Sequence, residues 1–261
     1  MGLDFNAQEA RFSFPLKLVV PFSEVKWKNS FGKSNFVALK DLQVSLSLLG
    51  LIKLKRSINV IVNAFQGKAT INLAQGLFSQ DSLEFSAKTE QLSFSEIIPE
   101  FKDRFEAKID ASIKSLLPII KGTIDLSGHS KLDGVLKIRD GIYKGGDKIM
   151  GLIILPAAND IKLDLNITGK DSNYKFDNIS FSSSLGTVSG DAQAELGEDP
   201  RFPKTATLKL TIDLTDQGAG FFSEYLRLSC KTQSEPGHRK WSLTLDKGEQ
   251  DLFPKVESKP L

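Results

Sequence analysis

Asn159–Thr168 reads NDIKLDLNIT, and this stretch decides the fold class. Ile161, Leu163, Leu165 and Ile167 occupy every second position, with Lys162, Asp164, Asn166 and Thr168 between them. In an extended chain successive side chains point to opposite faces, so this is a strand with one apolar and one wet face; at helical spacing the same four apolar residues would scatter around the cylinder. Thr205–Thr215 (TATLKLTIDLT) repeats the pattern with Leu208, Leu210, Ile212 and Leu214.

The alternation extends in both directions. Phe12, Phe14, Leu16 and Leu18 fall on one face of Arg11–Val20, where Pro15 suits an edge strand or a bulge. Leu42, Val44, Leu46 and Leu48 do the same in Phe36–Leu48. Ser57–Asn63 and Gly67–Leu73 are joined by a short hairpin connection, and Ser82–Lys88, Tyr174–Ser180, Gly186–Leu196 and Lys240–Asp246 continue the style. Asp140–Gly141 reads as a tight hairpin turn after Gly134–Arg139. Helix is scarce: Ser93–Lys102 is the best candidate, shortened or kinked by Pro99. Arg104–Leu117 has strand spacing until Pro118, and YLRLSCK at 225–231 alternates as a strand does.

The expectation is therefore an all-β protein built on a long, strongly twisted, mostly antiparallel sheet, elongated and curved into a groove or partly closed barrel or sandwich, with very little helix. Residues 1–248 form one domain with a soft boundary near 92–104, and 249–261 form a polar, flexible tail. With few helices to cover them, the apolar strand faces fold over on each other or line a groove filled by an acyl chain or a partner. The expected lining is Phe12, Phe14, Leu16, Leu18, Leu42, Val44, Leu46, Ile161, Leu163, Leu165, Ile167, Leu208, Leu210 and Ile212.

Composition narrows the chemistry. There are 18 Phe but only 3 Tyr and 2 Trp, an excess of apolar rings over rings with a polar handle. The net charge is +2, without the concentrated basic surface of a nucleic-acid binder. One cysteine, Cys230, excludes an internal disulfide framework, and with only His129 and His238 beside it a zinc-finger cage is excluded too. His129 lies in a turn-like SGHSK and His238 in a Pro–Gly turn; both read as solvated loop histidines, without a nucleophile or orienting acid at sequence spacing that makes a triad. Cys230 reads as a small buried hydrophobe. Gly145–Gly146–Asp147–Lys148 lacks the full phosphate-loop pattern, and the D-x-[DN]-x-[DN]-G calcium loop does not occur. Asp110, Asp125, Asp164 and Asp213 read as solvent-face charges in cross-strand pairs. No enzymatic chemistry, cofactor or metal is expected.

Four stretches together resemble the type II secretion system protein N family, itself similar to the AsmA-like envelope proteins. They are FSFPLKLVVPFSEVKW at Phe12–Trp27, LKDLQVSLSLLGLIKLKRSINVIVNAFQGKATINL at Leu39–Leu73, LSFSEIIPEF at Leu92–Phe101, and LLPIIKGTIDLSG at Leu116–Gly128. The resemblance spans Phe12–Leu214 and is one of style and order, with no catalytic residue to carry over. It implies a periplasmic domain behind an N-terminal inner-membrane anchor, an anchor expected in the full-length protein and not in this sequence. It also implies a non-catalytic secretion-system accessory that docks envelope proteins or binds phospholipid. An AsmA-like lipid-binding or lipid-transfer role and a closed sandwich without a lipid site stand beside it as alternatives.

Overall fold

A computed structural model describes residues 3–13, 16–28, 34–47, 55–76, 82–98, 102–120, 123–124, 131–149, 153–197, 203–229, 235, 237–249, 251 and 254–261. The fold is all-β: every strand pair with a described register is antiparallel, and two helices occur among the described residues. The chain divides into two compact units, Met1–Pro99 with Ile109–Ser130, and Glu100–Lys108 with Lys131–Leu261.

The first unit contains β1 (Leu3–Gln8), β2 (Arg11–Ser13), β3 (Lys17–Lys28), β4 (Ser34–Leu46), β5 (Lys55–Ala64), β6 (Gly67–Gly76) and β7 (Ser82–Ser93). It also holds the one-turn helix α1 (Phe94–Ile97), most of β8 (Phe105–Ile120), and β9 (Thr123–Ile124). Its strands lie in the order β1-β3-β4-β5-β6-β7-β8, with β2 on β3 and β9 on β8. Leu18, Val44, Val60, Ile71 and Ala87 stand directly opposite one another across five strands, so one face carries an apolar row. The β5–β6 turn is made by Phe65 and Gln66, both with positive φ (51° and 61°), the backbone a two-residue hairpin needs for its twist. Strand β8 continues through Pro118, where the sequence suggested a break, and pairs with β9 at Ile119 and Ile120.

The second unit takes Phe105–Lys108 of β8, then β10 (Lys131–Tyr143), the small hairpin β11 (Lys148–Ile149) and β12 (Ile153–Ile154), β13 (Ala158–Lys170), β14 (Asn173–Ser183), β15 (Gly186–Leu196), β16 (Pro203–Leu214), α2 (Asp216–Ser229), β17 (Lys240–Lys247) and β18 (Lys255–Pro260). The strand order is β8-β10-β13-β14-β15-β16-β17-β18.

Three expectations change here. Asp140–Gly141 is no hairpin turn: it sits inside β10 as a bulge, with Asp140 at φ 53° and a register shift between Ile138 and Gly141. Gly141 packs so closely on Ile161 that a Cβ would lie 2.7 Å from the Ile161 Cβ, which is why glycine stands there. Residues 249–261 do not form a tail throughout, because Val256, Ser258 and Pro260 pair with Leu245, Leu243 and Trp241 of β17. Lys255, Glu257 and Lys259 alternate with them on this outermost strand, a charged pattern that discourages further pairing. Segment 216–229 is helical. Ala219, Phe222 and Leu226 recur at three- and four-residue spacing, and this longer period overrides the brief alternation of Leu226 and Leu228.

Candidate functional site: an apolar cavity in the second unit

One cross-strand row builds the site. Ile138, Leu163, Phe181, Val188, Ile212 and Trp241 stand opposite one another across β10, β13, β14, β15, β16 and β17. The first five line a cavity of about 490 Å³, partly open to solvent. Trp241 ends the row fully buried, its indole donating to the His238 carbonyl at 3.0 Å. A second tier comes from Ala158, Ile161 and Leu185, all buried, with Phe105 and Tyr143 packed against them.

Helix α2 forms the opposite wall with Phe222 and Leu226. Its position follows from Thr215. The Thr215 hydroxyl donates to the Ser184 carbonyl at 2.9 Å and accepts the Gly218 amide at 3.2 Å, while the Thr215 amide donates to the Leu185 carbonyl at 3.1 Å. One residue thus caps the helix and ties its start to the β14–β15 turn. The far part of the helix is held by Ser258 of β18, whose hydroxyl donates to the Leu226 carbonyl at 3.3 Å, and by Ser223, which accepts the Gly237 amide at 3.1 Å.

The remaining edge is Leu155 and Pro156, following β12. They return after Gly145 and Gly146, both at positive φ, and the base of the excursion is closed by Gly146 N–H to the Leu155 carbonyl (3.0 Å) and Leu155 N–H to the Asp147 carbonyl (2.8 Å). Here lies the polar rim. The Tyr143 hydroxyl donates to Asp147 Oδ2 at 2.8 Å and accepts the Asp147 amide, and Arg104 donates to Asp147 Oδ1 at 2.5 Å. Burial and the bond to Asp147 push the Tyr143 hydroxyl above the usual phenol range.

Chemically, the lining offers alkyl and aromatic surface. Its titratable group is the Tyr143 hydroxyl, held at the rim, and the Ser183 hydroxyl accepts the Leu185 amide at 3.2 Å. Such a cavity gains by taking up an apolar ligand, roughly 0.8 kcal/mol for each methylene removed from water. Among the described residues no group of three or more His, Cys, Asp or Glu could hold a metal, and no helix is long and apolar enough to cross a membrane.

Of the residues expected to line a groove, Ile161, Leu163 and Ile212 meet in this cavity. Leu165, Ile167, Leu208 and Leu210 lie further along the same strand faces, half-buried, and do not line it. The others belong to the first unit: Leu18, Leu42 and Val44 are half-buried, Phe12, Leu16 and Leu46 are exposed, and Phe14 lies outside the described residues. His129, Asp125 and Cys230 also lie outside them. His238 is half-buried rather than solvated, edge-on to Trp241 with ring centroids 5.4 Å apart. Asp164 and Asp213 do pair across strands, with Arg139 and Lys240, but Asp110 accepts the Gln91 amide at 2.7 Å. The lining residues not anticipated are chiefly Phe105, Phe181, Phe222 and Leu226. The spacing of Phe222 and Leu226 in the sequence is the signal that could have found two of them.

No protein-family model, curated protein or solved structure matches the chain.

Proposed function

We propose that the second unit binds an acyl chain, or an apolar ligand of similar girth, in the cavity between its sheet and α2, and that the protein is a non-catalytic lipid-binding component of the bacterial envelope. The cavity carries this reading: about 490 Å³ of space falls within the range of ligand sites, roughly 300–1,000 Å³, and its lining is alkyl and aromatic apart from the hydroxyls of Tyr143, Ser183 and Thr187. Water in so apolar a space finds few hydrogen-bond partners, so an apolar guest displaces it favourably. The resemblance to the secretion-system protein N and AsmA-like groups supplies the setting, a periplasmic accessory role beside the inner membrane with envelope proteins as partners.

The test is a titration with cis-parinaric acid, a fatty acid whose fluorescence rises in apolar surroundings. Saturable uptake of one molecule per chain, displaced by palmitate and abolished in a folded Val188→Trp variant that fills the cavity, supports the proposal. Uptake that never saturates, or that Val188→Trp leaves intact, refutes it.

A further inference from the structure

At one corner of the cavity a hydroxyl and a guanidinium share a carboxylate. Asp147 accepts the Tyr143 hydroxyl on Oδ2 at 2.8 Å and the Arg104 guanidinium on Oδ1 at 2.5 Å. Tyr143 is a lining residue, and Arg104 directly precedes another, Phe105. The Lys144 amide donates to the Arg104 carbonyl at 2.8 Å, so the start of β8 and the end of β10 lie side by side and bring both donors to one place. A guanidinium is a planar fork suited to carboxylate oxygens. Burial, first, and the bond to Asp147 raise the Tyr143 hydroxyl above the usual phenol range, so it keeps its proton and donates.

The other two lining hydroxyls lack this arrangement. Ser183 Oγ accepts the Leu185 amide at 3.2 Å, and Thr187 stands opposite Asp213, whose carboxylate pairs with Lys240 at 3.6 Å. Beside Arg104, Glu106 pairs with Lys144 at 2.8 Å rather than with the arginine. The carboxylate on the Tyr143 and Arg104 donors is thus that of Asp147, and it is replaceable. The side chains of Arg104 and Asp147 are 58% and 28% exposed, and water competes for both partners of so open an ion pair. A carboxylate tethered to an acyl chain in the cavity is held beside these donors at high effective concentration. Its arrival exchanges one anion for another and leaves neither donor unpaired.

We propose that the cavity is a fatty-acid site in which the ligand carboxylate replaces Asp147 on the Tyr143 hydroxyl and the Arg104 guanidinium, an inference that rests on the acyl-chain reading of the cavity. The acyl chain supplies the burial and the two donors select the head group.

Titration calorimetry of the whole chain with laurate, methyl laurate and dodecyl phosphate tests it. Laurate should bind about tenfold more tightly than methyl laurate, the difference made by hydrogen bonds to a charged head group. Arg104→Gln should bring laurate down to the affinity of methyl laurate, and Arg104→Lys should keep part of the preference. Asp147→Asn removes the competing anion and should tighten laurate binding about threefold, the scale of a partly exposed ion pair. Equal affinity for laurate and methyl laurate, or a preference that Arg104→Gln leaves intact, overturns the proposal while acyl-chain binding stands. Asp147→Asn weakening both ligands together marks the contact as structural alone and overturns it as well. Dodecyl phosphate binding more tightly than laurate overturns it in favour of a phosphate-headed ligand. Binding of none of the three overturns the reading of the cavity and this inference with it.

Discussion

Gly218, in the first turn of α2, packs against the Leu185 carbonyl so tightly that a Cβ at this position would overlap the oxygen. Leu185 is itself a buried residue beside the cavity, so the contact that brings the helix to the sheet also sets the width of the space between them. Gly218→Ala forces backbone against backbone, which no rotamer can relieve. The expected outcome is a loss of about 1–3 kcal/mol in stability, typical of an overpacked interior, together with weaker uptake of cis-parinaric acid. Chemical denaturation and the fatty-acid titration measure the two effects.

Trp241 anchors the same wall. It is fully buried, packs with Leu214 and Ala219, and holds the His238 carbonyl through its indole N–H. Trp241→Ala should cost about 3–5 kcal/mol, the usual loss for a large aromatic side chain removed from a packed interior. Trp241→Phe, which keeps most of the volume but loses the donor, should cost less than the alanine change. Urea unfolding curves for the two variants check the order.

A pH effect is expected at the β17–β18 connection. The Gly248 amide, first, and the Lys255 ammonium, second, hold the Asp251 carboxyl below its ordinary range. A depressed folded-state value means the interaction is present above the unfolded value, near 4, and is lost as the pH falls through the folded one. Acidification below pH 4 should therefore lower the protection of the β18 amides, relative to their intrinsic exchange at the same pH, before it lowers that of β14 and β15. In Asp251→Asn the protection of β18 should lose this pH dependence. Hydrogen exchange followed by mass spectrometry reads both.

The strands were legible because their signal is local. Ile161 to Ile167 and Leu208 to Leu214 alternate over whole strands, and the side-chain period of two needs no tertiary information. The helix was not legible for two reasons. Gly218 and Gly220 lower its intrinsic propensity, and its apolar stripe of Ala219, Phe222 and Leu226 is short. What fixes it is the cap from Thr215 and the contact with Leu185, which depend on where the β14–β15 turn lies in space. The bulge at Asp140 was hidden for a related reason, since Asp–Gly serves a turn and a bulge equally well and Ile161 across the sheet decides between them. Thus Ile161, Leu163 and Ile212 could be named from the sequence as apolar lining. Their meeting with Phe105, Phe181 and Phe222 required the register of β10, β13, β14, β15 and β16, which alternation leaves free by even steps.

Native mass spectrometry of the gently purified protein, with extraction and identification of any bound lipid, reads the occupancy of the cavity. The expected result is a population carrying one acyl-chain lipid per protein, and its disappearance in Leu163→Asp and Val188→Trp variants whose circular dichroism still shows the β fold. Protein that never carries lipid, even after incubation with phospholipid or fatty acid, or lipid that stays bound when Val188→Trp has filled the cavity, would contradict it.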